Sequence, residues 1–125
     1  MGSIGTNHKY HHAQGIAINP DGTKIFISFN GTGEGAASDK SGIREYSLST
    51  PYDISTLTHV DTAGILLPNA LPSANPDALS LSADGKRIFI VYHGSNTSNA
   101  TVEQYSLSSP YDTTDFNLDL SLIHI

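Results

Sequence analysis

One stretch of this 125-residue chain occurs twice, and the repetition limits what the chain can fold into. Residues 15–31, GIAINPDGTKIFISFNG, return as residues 78–94, ALSLSADGKRIFIVYHG. Each copy is an apolar run, an Asp-Gly pair and a second apolar run. That order predicts a β-hairpin whose turn takes a positive φ, which glycine supplies at little cost. A second echo follows each hairpin: residues 43–53, IREYSLSTPYD, return as residues 102–112, VEQYSLSSPYD.

In chain order, strands are expected over 14–19 and 23–29 around Asp21-Gly22, with a third over 42–49. Ile25, Phe26 and Ile27 are consecutive, which suggests a sheet covered on both faces. Thr50-Pro51-Tyr52-Asp53 reads as a turn, with Pro presetting φ and Asp bonding nearby backbone N–H groups. A fourth strand belongs in 54–67, and Pro68, Pro72 and Pro76 exclude regular structure up to the second copy. The second unit repeats the order with strands over 77–82, 86–92, 101–108 and 116–125. The Asp-Gly turns are 63 residues apart and the Tyr-Ser-Leu-Ser segments 59 apart, so copy two has the shorter loop. Insertions confined to one loop suit a repeat architecture. The chain divides into a polar segment, 1–13, and two units, 14–73 and 74–125, each a four-stranded antiparallel meander.

Composition removes several function classes. A formal net charge of −6, with six scattered Lys and Arg, disfavours nucleic acid, whose phosphates require clustered cations. The absence of cysteine excludes disulfides and thiolate metal sites. No apolar run approaches the roughly 18 residues of a membrane span. The first ten residues lack the apolar core of a signal peptide.

Meanders of this kind pack face to face as β-propeller blades. The period exceeds that of WD40 blades and the Trp-Asp signature is absent. The sequence resembles instead a group of propeller repeats found in bacterial and phage-associated proteins. The resemblance rests on Asn19-Pro20-Asp21-Gly22-Thr23-Lys24 and on residues 45–56, EYSLSTPYDIST. It extends from Gln14 onward, with departures at Ser82-Ala83 and Thr113-Thr114-Asp115. The wider lactonase-like propellers share only the Asp-Gly hairpin. The resemblance implies an all-β fold of two four-stranded antiparallel propeller blades. Two blades cannot close a ring of about 4–8. The ring would be completed by oligomerisation, most plausibly a trimer as in lectins built from two-bladed chains, or by the rest of a longer chain. The apolar end, residues 121–125, fits an edge that pairs with something.

In such a ring, the loops entering the innermost strands crowd one face with those joining the second and third strands, and that face usually binds. The resemblance therefore places His11, His12, Gln14, Asn75, Asp77 and His93 at a ligand-binding mouth with loops 30–41 and 93–100. His8, His11 and His12 stand at metal-compatible spacing, but no HExxH and no further ligand accompany them, so a polar segment outweighs a metal site. Asp21, Asp53, Asp84 and Asp112 repeat in both units, which argues for turn chemistry over catalysis. Tyr46, Tyr105, Tyr52 and Tyr111 fit blade packing better than a sugar-stacking shelf. Asn30, Asn96 and Asn99 head glycosylation acceptor patterns. The glycines of 30–41 lack the Gly-Lys-Ser/Thr ending of a phosphate loop, and no Gly-x-Ser-x-Gly supports a hydrolase. The expectation is a non-enzymatic binding or structural module without cofactor, displayed outside a cell or on a particle. A carbohydrate-binding lectin and a lactonase-like hydrolase with an axial site are the alternatives.

Overall fold

The computed structural model describes residues 12–30, 41–60, 65–66, 75–93, 100–119 and 123–124. These residues form two antiparallel β-sheets, one from each repeat. The first contains β1 (His12–Ile18), β2 (Lys24–Asn30) and β3 (Gly42–Leu48). Two short segments, β4 (Leu57–His59) and β5 (Ile65–Leu66), share the outer edge of β3. The second contains β6 (Asn75–Leu81), β7 (Arg87–His93) and β8 (Thr101–Ser109), with β9 (Asp112–Leu118) and β10 (Ile123–His124) along the outer edge of β8. Each outer edge is one strand position filled in two pieces, so each unit is the expected four-stranded meander. Among the described residues there is no α-helix, and no helix long and apolar enough to cross a membrane.

The hairpin turns are wider than an Asp-Gly pair alone. Asn19 O accepts from Gly22 N at 3.0 Å, and Ser82 O from Gly85 N at 2.9 Å. The turn therefore starts two residues before Asp, and its glycine is the fourth residue, at φ 72° in Gly22 and 70° in Gly85. Asn19 and Ser82 do the same work with different atoms. Asn19 Oδ1 accepts Lys24 N at 2.8 Å, and Ser82 Oγ accepts Arg87 N at 3.0 Å. The departure of copy two from the repeat pattern at Ser82 thus leaves its turn intact.

Three strands start two or more residues before the expected bound, β1 at His12 among them. β6 starts at Asn75 and runs through the buried Pro76. Proline is admissible there because β6 pairs only with β7, so its other edge makes no ladder, and the strand bulges at the next residue. β9 starts at Asp112, four residues before the expected strand. The equivalent segment of copy one instead forms a 3-10 turn, Ile54–Thr56, held by Thr56 N on Asp53 O at 3.0 Å. Asp115 replaces Thr56 in copy two, and its carboxylate accepts from Ser108 Oγ at 2.7 Å across the ladder.

Alternation gives each sheet two faces. Phe26, Ser28, Ile43 and Glu45 share one face of the first sheet, because Phe26 pairs with Glu45 and Ser28 with Ile43. Ile25, Tyr46 and Leu48 lie on its other face. In the second sheet the equivalent faces carry Phe89, Val91, Val102 and Gln104 on one side and Ile88, Ile90, Tyr92, Tyr105 and Leu107 on the other. The main core joins Phe26 and Ile43 to Ile88, Ile90, Tyr92, Tyr105 and Leu107. The Phe26 face of the first sheet therefore packs on the Tyr105 face of the second, which places unlike faces together. Phe26, Ile88 and Ile90 are fully buried, and each contributes about 1.5–3 kcal/mol over an exposed position. A smaller cluster of Ile25, Tyr46 and Leu48 lies on the Tyr46 face. There Arg44 stands 4.4 Å over the Phe29 ring, and the His59 and Tyr46 rings lie 5.2 Å apart.

Candidate functional site

Of the residues expected at a binding mouth, His12, Gln14, Asn75 and Asp77 lie at the bulged ends of β1 and β6, and His93 ends β7. The β1 register shifts between Ala13 and Gly15, and the β6 register shifts between Pro76 and Ala78. Gln14 and Asp77 are thus the extra residues of two equivalent bulges, devices that re-aim a side chain out of the ladder. His12 stands opposite Asn30, and Asn75 opposite His93, one step beyond each bulge. The two bulges lie side by side. A Cβ on Gly15 would sit 3.0 Å from Ala78 Cα and 3.2 Å from Asp77 O, so the edge strands meet where only glycine fits. His12, Gln14, Asn75, Asp77 and His93 therefore share one end of the paired sheets, and His12, Gln14 and Asp77 are exposed there. His8, His11, Asn96, Asn99 and loops 31–40 and 94–99 lie outside the described residues.

This end carries an imidazole, an amide and a carboxylate in reach of solvent. Such groups donate and accept hydrogen bonds to a polar ligand. Among the described residues no three His, Asp or Glu side chains gather as a metal site would require.

The repeated aspartates do turn chemistry. Asp21 Oδ1 accepts from Thr23 N at 3.0 Å, Asp53 Oδ1 from Ser55 N at 3.0 Å, Asp84 Oδ1 from Lys86 N at 3.0 Å and Asp112 Oδ1 from Thr114 N at 2.9 Å. A hydroxyl adds a second bond to each: Thr23, Ser55, Ser82 and Thr114. These bonds, the hydroxyl first and the backbone N–H second, hold all four carboxyls below the ordinary aspartate value.

The tyrosines are structural too. Tyr46 and Tyr105 are buried. Tyr52 and Tyr111 hold positive φ angles of 59° and 55°, uncommon for bulky side chains. Each closes a turn after Pro51 or Pro110 and lays its ring on the hairpin glycine. A Cβ on Gly22 would fall 2.4 Å from the Tyr52 ring, and one on Gly85 2.3 Å from the Tyr111 ring. Tyr52 N donates to Gly22 O at 2.9 Å and its hydroxyl to Pro20 O. Tyr111 N donates to Gly85 O at 2.8 Å and its hydroxyl to Ala83 O at 2.7 Å. The two sequence echoes thus clamp one another, with Tyr46 and Tyr105 buried and the Tyr52 ring still 64% exposed over Gly22.

A polar anchor between the sheets was not expected. Glu45, 2% exposed, lies 2.6 Å from Lys24 Nζ through Oε1. Its Oε2 accepts from Thr113 N at 2.9 Å and Thr113 Oγ1 at 2.8 Å. Lys24 also donates to Tyr111 O at 2.7 Å. One carboxylate and one ammonium from the Phe26 face thus grip the start of β9. The available signal is Glu45 on a strand face shared with Ile43. Nearby, Tyr105 donates to Glu103 Oε2 at 2.8 Å, and burial raises the Tyr92 and Tyr105 hydroxyls, with the Glu103 carboxylate beside them adding to it. No family model, curated protein or solved structure matches this chain.

Proposed function

We propose that the chain is a non-enzymatic β-propeller module, a binding or structural repeat whose ring is completed by further units. Three copies supplying two blades each is the favoured closure; further repeats of a longer chain would supply the same faces. The packing of the Phe26 face on the Tyr105 face carries this reading. An interface between unlike faces leaves the complement of each at the two flanks, with Ile16, Ile18 and Ile54 exposed along one of them. Repeating the step adds one sheet at a time, and closes when the rotations complete a turn. The bulged ends with His12, Gln14, Asn75, Asp77 and His93 then line one mouth of the ring. Their chemistry suits hydrogen bonding to a polar ligand. Display outside a cell or on a particle is proposed from the resemblance to bacterial and phage-associated repeats. Light scattering on the purified chain tests the reading: three chain masses are expected. A folded single chain at high concentration overturns closure by copies of this chain.

A further inference from the structure

We infer that a second copy of this chain docks its Phe89 face on the Tyr46 face of the first, in the register already used inside each chain. The inference rests on the ring reading above and names the surfaces and contacts that reading needs. It comes from comparing equivalent positions of the two sheets. Leu79 and Leu81, on the Tyr105 face, pack against the main core, whereas their equivalents on the Tyr46 face, Ile16 and Ile18, are 58% and 45% exposed. Thr113 is fully buried under Glu45, whereas its equivalent Ile54 is 67% exposed. Along its edge, the residues left open in the first sheet are thus those that the first sheet covers in the second, while Ile25, Phe29, Tyr46 and Leu48 at the centre of the same face are already buried in the single chain. The edge carrying Ile16, Ile18 and Ile54 lacks one neighbour of known shape, the Phe26 face or its equivalent.

The equivalent face is the Phe89 face of the second sheet, and its chemistry follows the template. Phe89 stands where Phe26 stands, and Val91 and Val102 replace Ser28 and Ile43, so the centre is more apolar than the interface inside the chain. These three side chains are half-buried in the single chain. Arg87, exposed, takes the place of Lys24 and meets Tyr52 O as Lys24 meets Tyr111 O. Gln104 takes the place of Glu45 and faces the start of the 3-10 turn at Ile54, where the second sheet has the start of β9. Ile54 offers no hydroxyl, and a neutral amide in place of the carboxylate matches that loss of a donor. The contact is head to tail: each copy presents a different face to each neighbour.

The chain has no cysteine, so single thiols report contacts cleanly. Ile54→Cys and Gln104→Cys are made separately and treated with a short bifunctional maleimide. Mixed and allowed to exchange subunits, the two variants are expected to cross-link into a two-chain product that neither gives alone. No product from the mixture, while the unmodified chain remains multimeric, overturns this interface and leaves the ring to other surfaces. A product from either variant alone points to a two-fold contact of like faces and also overturns it. A chain that is monomeric throughout removes both this interface and the ring of three copies. Val91→Glu supplies a second readout from a half-buried site: the mass is expected to fall to that of one chain while the far-ultraviolet circular dichroism stays unchanged. A Val91→Glu chain that keeps its full multimeric mass overturns the docking.

Discussion

At the scale of single residues, the repeated Pro-Tyr-Asp and Asp-Gly motifs act as one joint. A tyrosine at positive φ costs on the order of 1–3 kcal/mol and persists only where its surroundings compensate. Here the ring over Gly85 and the hydroxyl on Ala83 O compensate. Tyr111→Ala keeps the strained backbone and loses the ring, whereas Tyr111→Gly loses the ring but relieves the backbone. Glycine should therefore be less damaging than alanine by about 1 kcal/mol, the reverse of their ordinary order. Urea denaturation of both variants measures the difference. Gly85→Ala meets both the positive φ and the ring, and is expected to cost more than 1 kcal/mol. The four aspartates give the joint a pH signature. Their folded pKa values lie below the ordinary 3.8, so they contribute stability that is complete above that value and lost as pH falls through the folded values. The urea midpoint should hold between pH 5 and 7 as far as these groups are concerned, then drop below about pH 4. Replacing all four by Asn, which keeps the acceptor oxygen without the titration, should flatten that drop.

At the scale of the elements, Glu45 decides whether the two sheets hold together. Glu45→Ala strands Lys24 between the sheets and leaves the Thr113 N–H and hydroxyl without their acceptor. Removing one partner of a buried ion pair costs roughly 3–5 kcal/mol, and the partial exposure of Lys24 places this case near 3. Glu45→Gln keeps an acceptor for Thr113 and should cost less than half as much in the same denaturation experiment. The sequence could not announce this anchor, because its partners are 68 residues apart and belong to different repeats. The strands, by contrast, were legible. Their signals are local: alternation in β3 and β8, apolar runs in β2 and β7, and Asp-Gly between them. The interruption of each outer edge was not legible, since a two-residue strand such as β5 has no periodicity of its own. Pro76 misled for a related reason. A proline argues against a ladder only where its N–H is needed, and the free edge of β6 is known only once the sheet order is known. The mouth residues were placed through the geometry that the family resemblance implies. The bulges that set Gln14 and Asp77 apart leave no mark in residue type, because a bulge is a property of register.

At the scale of the whole molecule, the question is what becomes of a flank that carries exposed Ile16, Ile18 and Ile54. Scattered apolar residues on a surface need no explanation, but these three lie at positions whose repeat equivalents are covered. The same substitution should therefore have opposite consequences in the two sheets. Leu81→Lys places an ammonium against the core formed with Phe26 and Ile88, and should cost roughly 3 kcal/mol, lowering the denaturation midpoint at every protein concentration. Ile18→Lys, at the equivalent position, places its ammonium in solvent in the single chain and against a neighbour only in the assembly. Its single chain should be as stable as that of the unmodified protein. What it should lose is the dependence of the thermal midpoint on concentration, because a chain that binds its own copies only when folded is stabilised by mass action. Melting both proteins over a hundredfold range of concentration separates the cases. The unmodified midpoint should climb with concentration and the Ile18→Lys midpoint should stay flat. A flat midpoint for both, with one-chain mass, would mean that the exposed isoleucines are surface residues and that the two sheets suffice for each other.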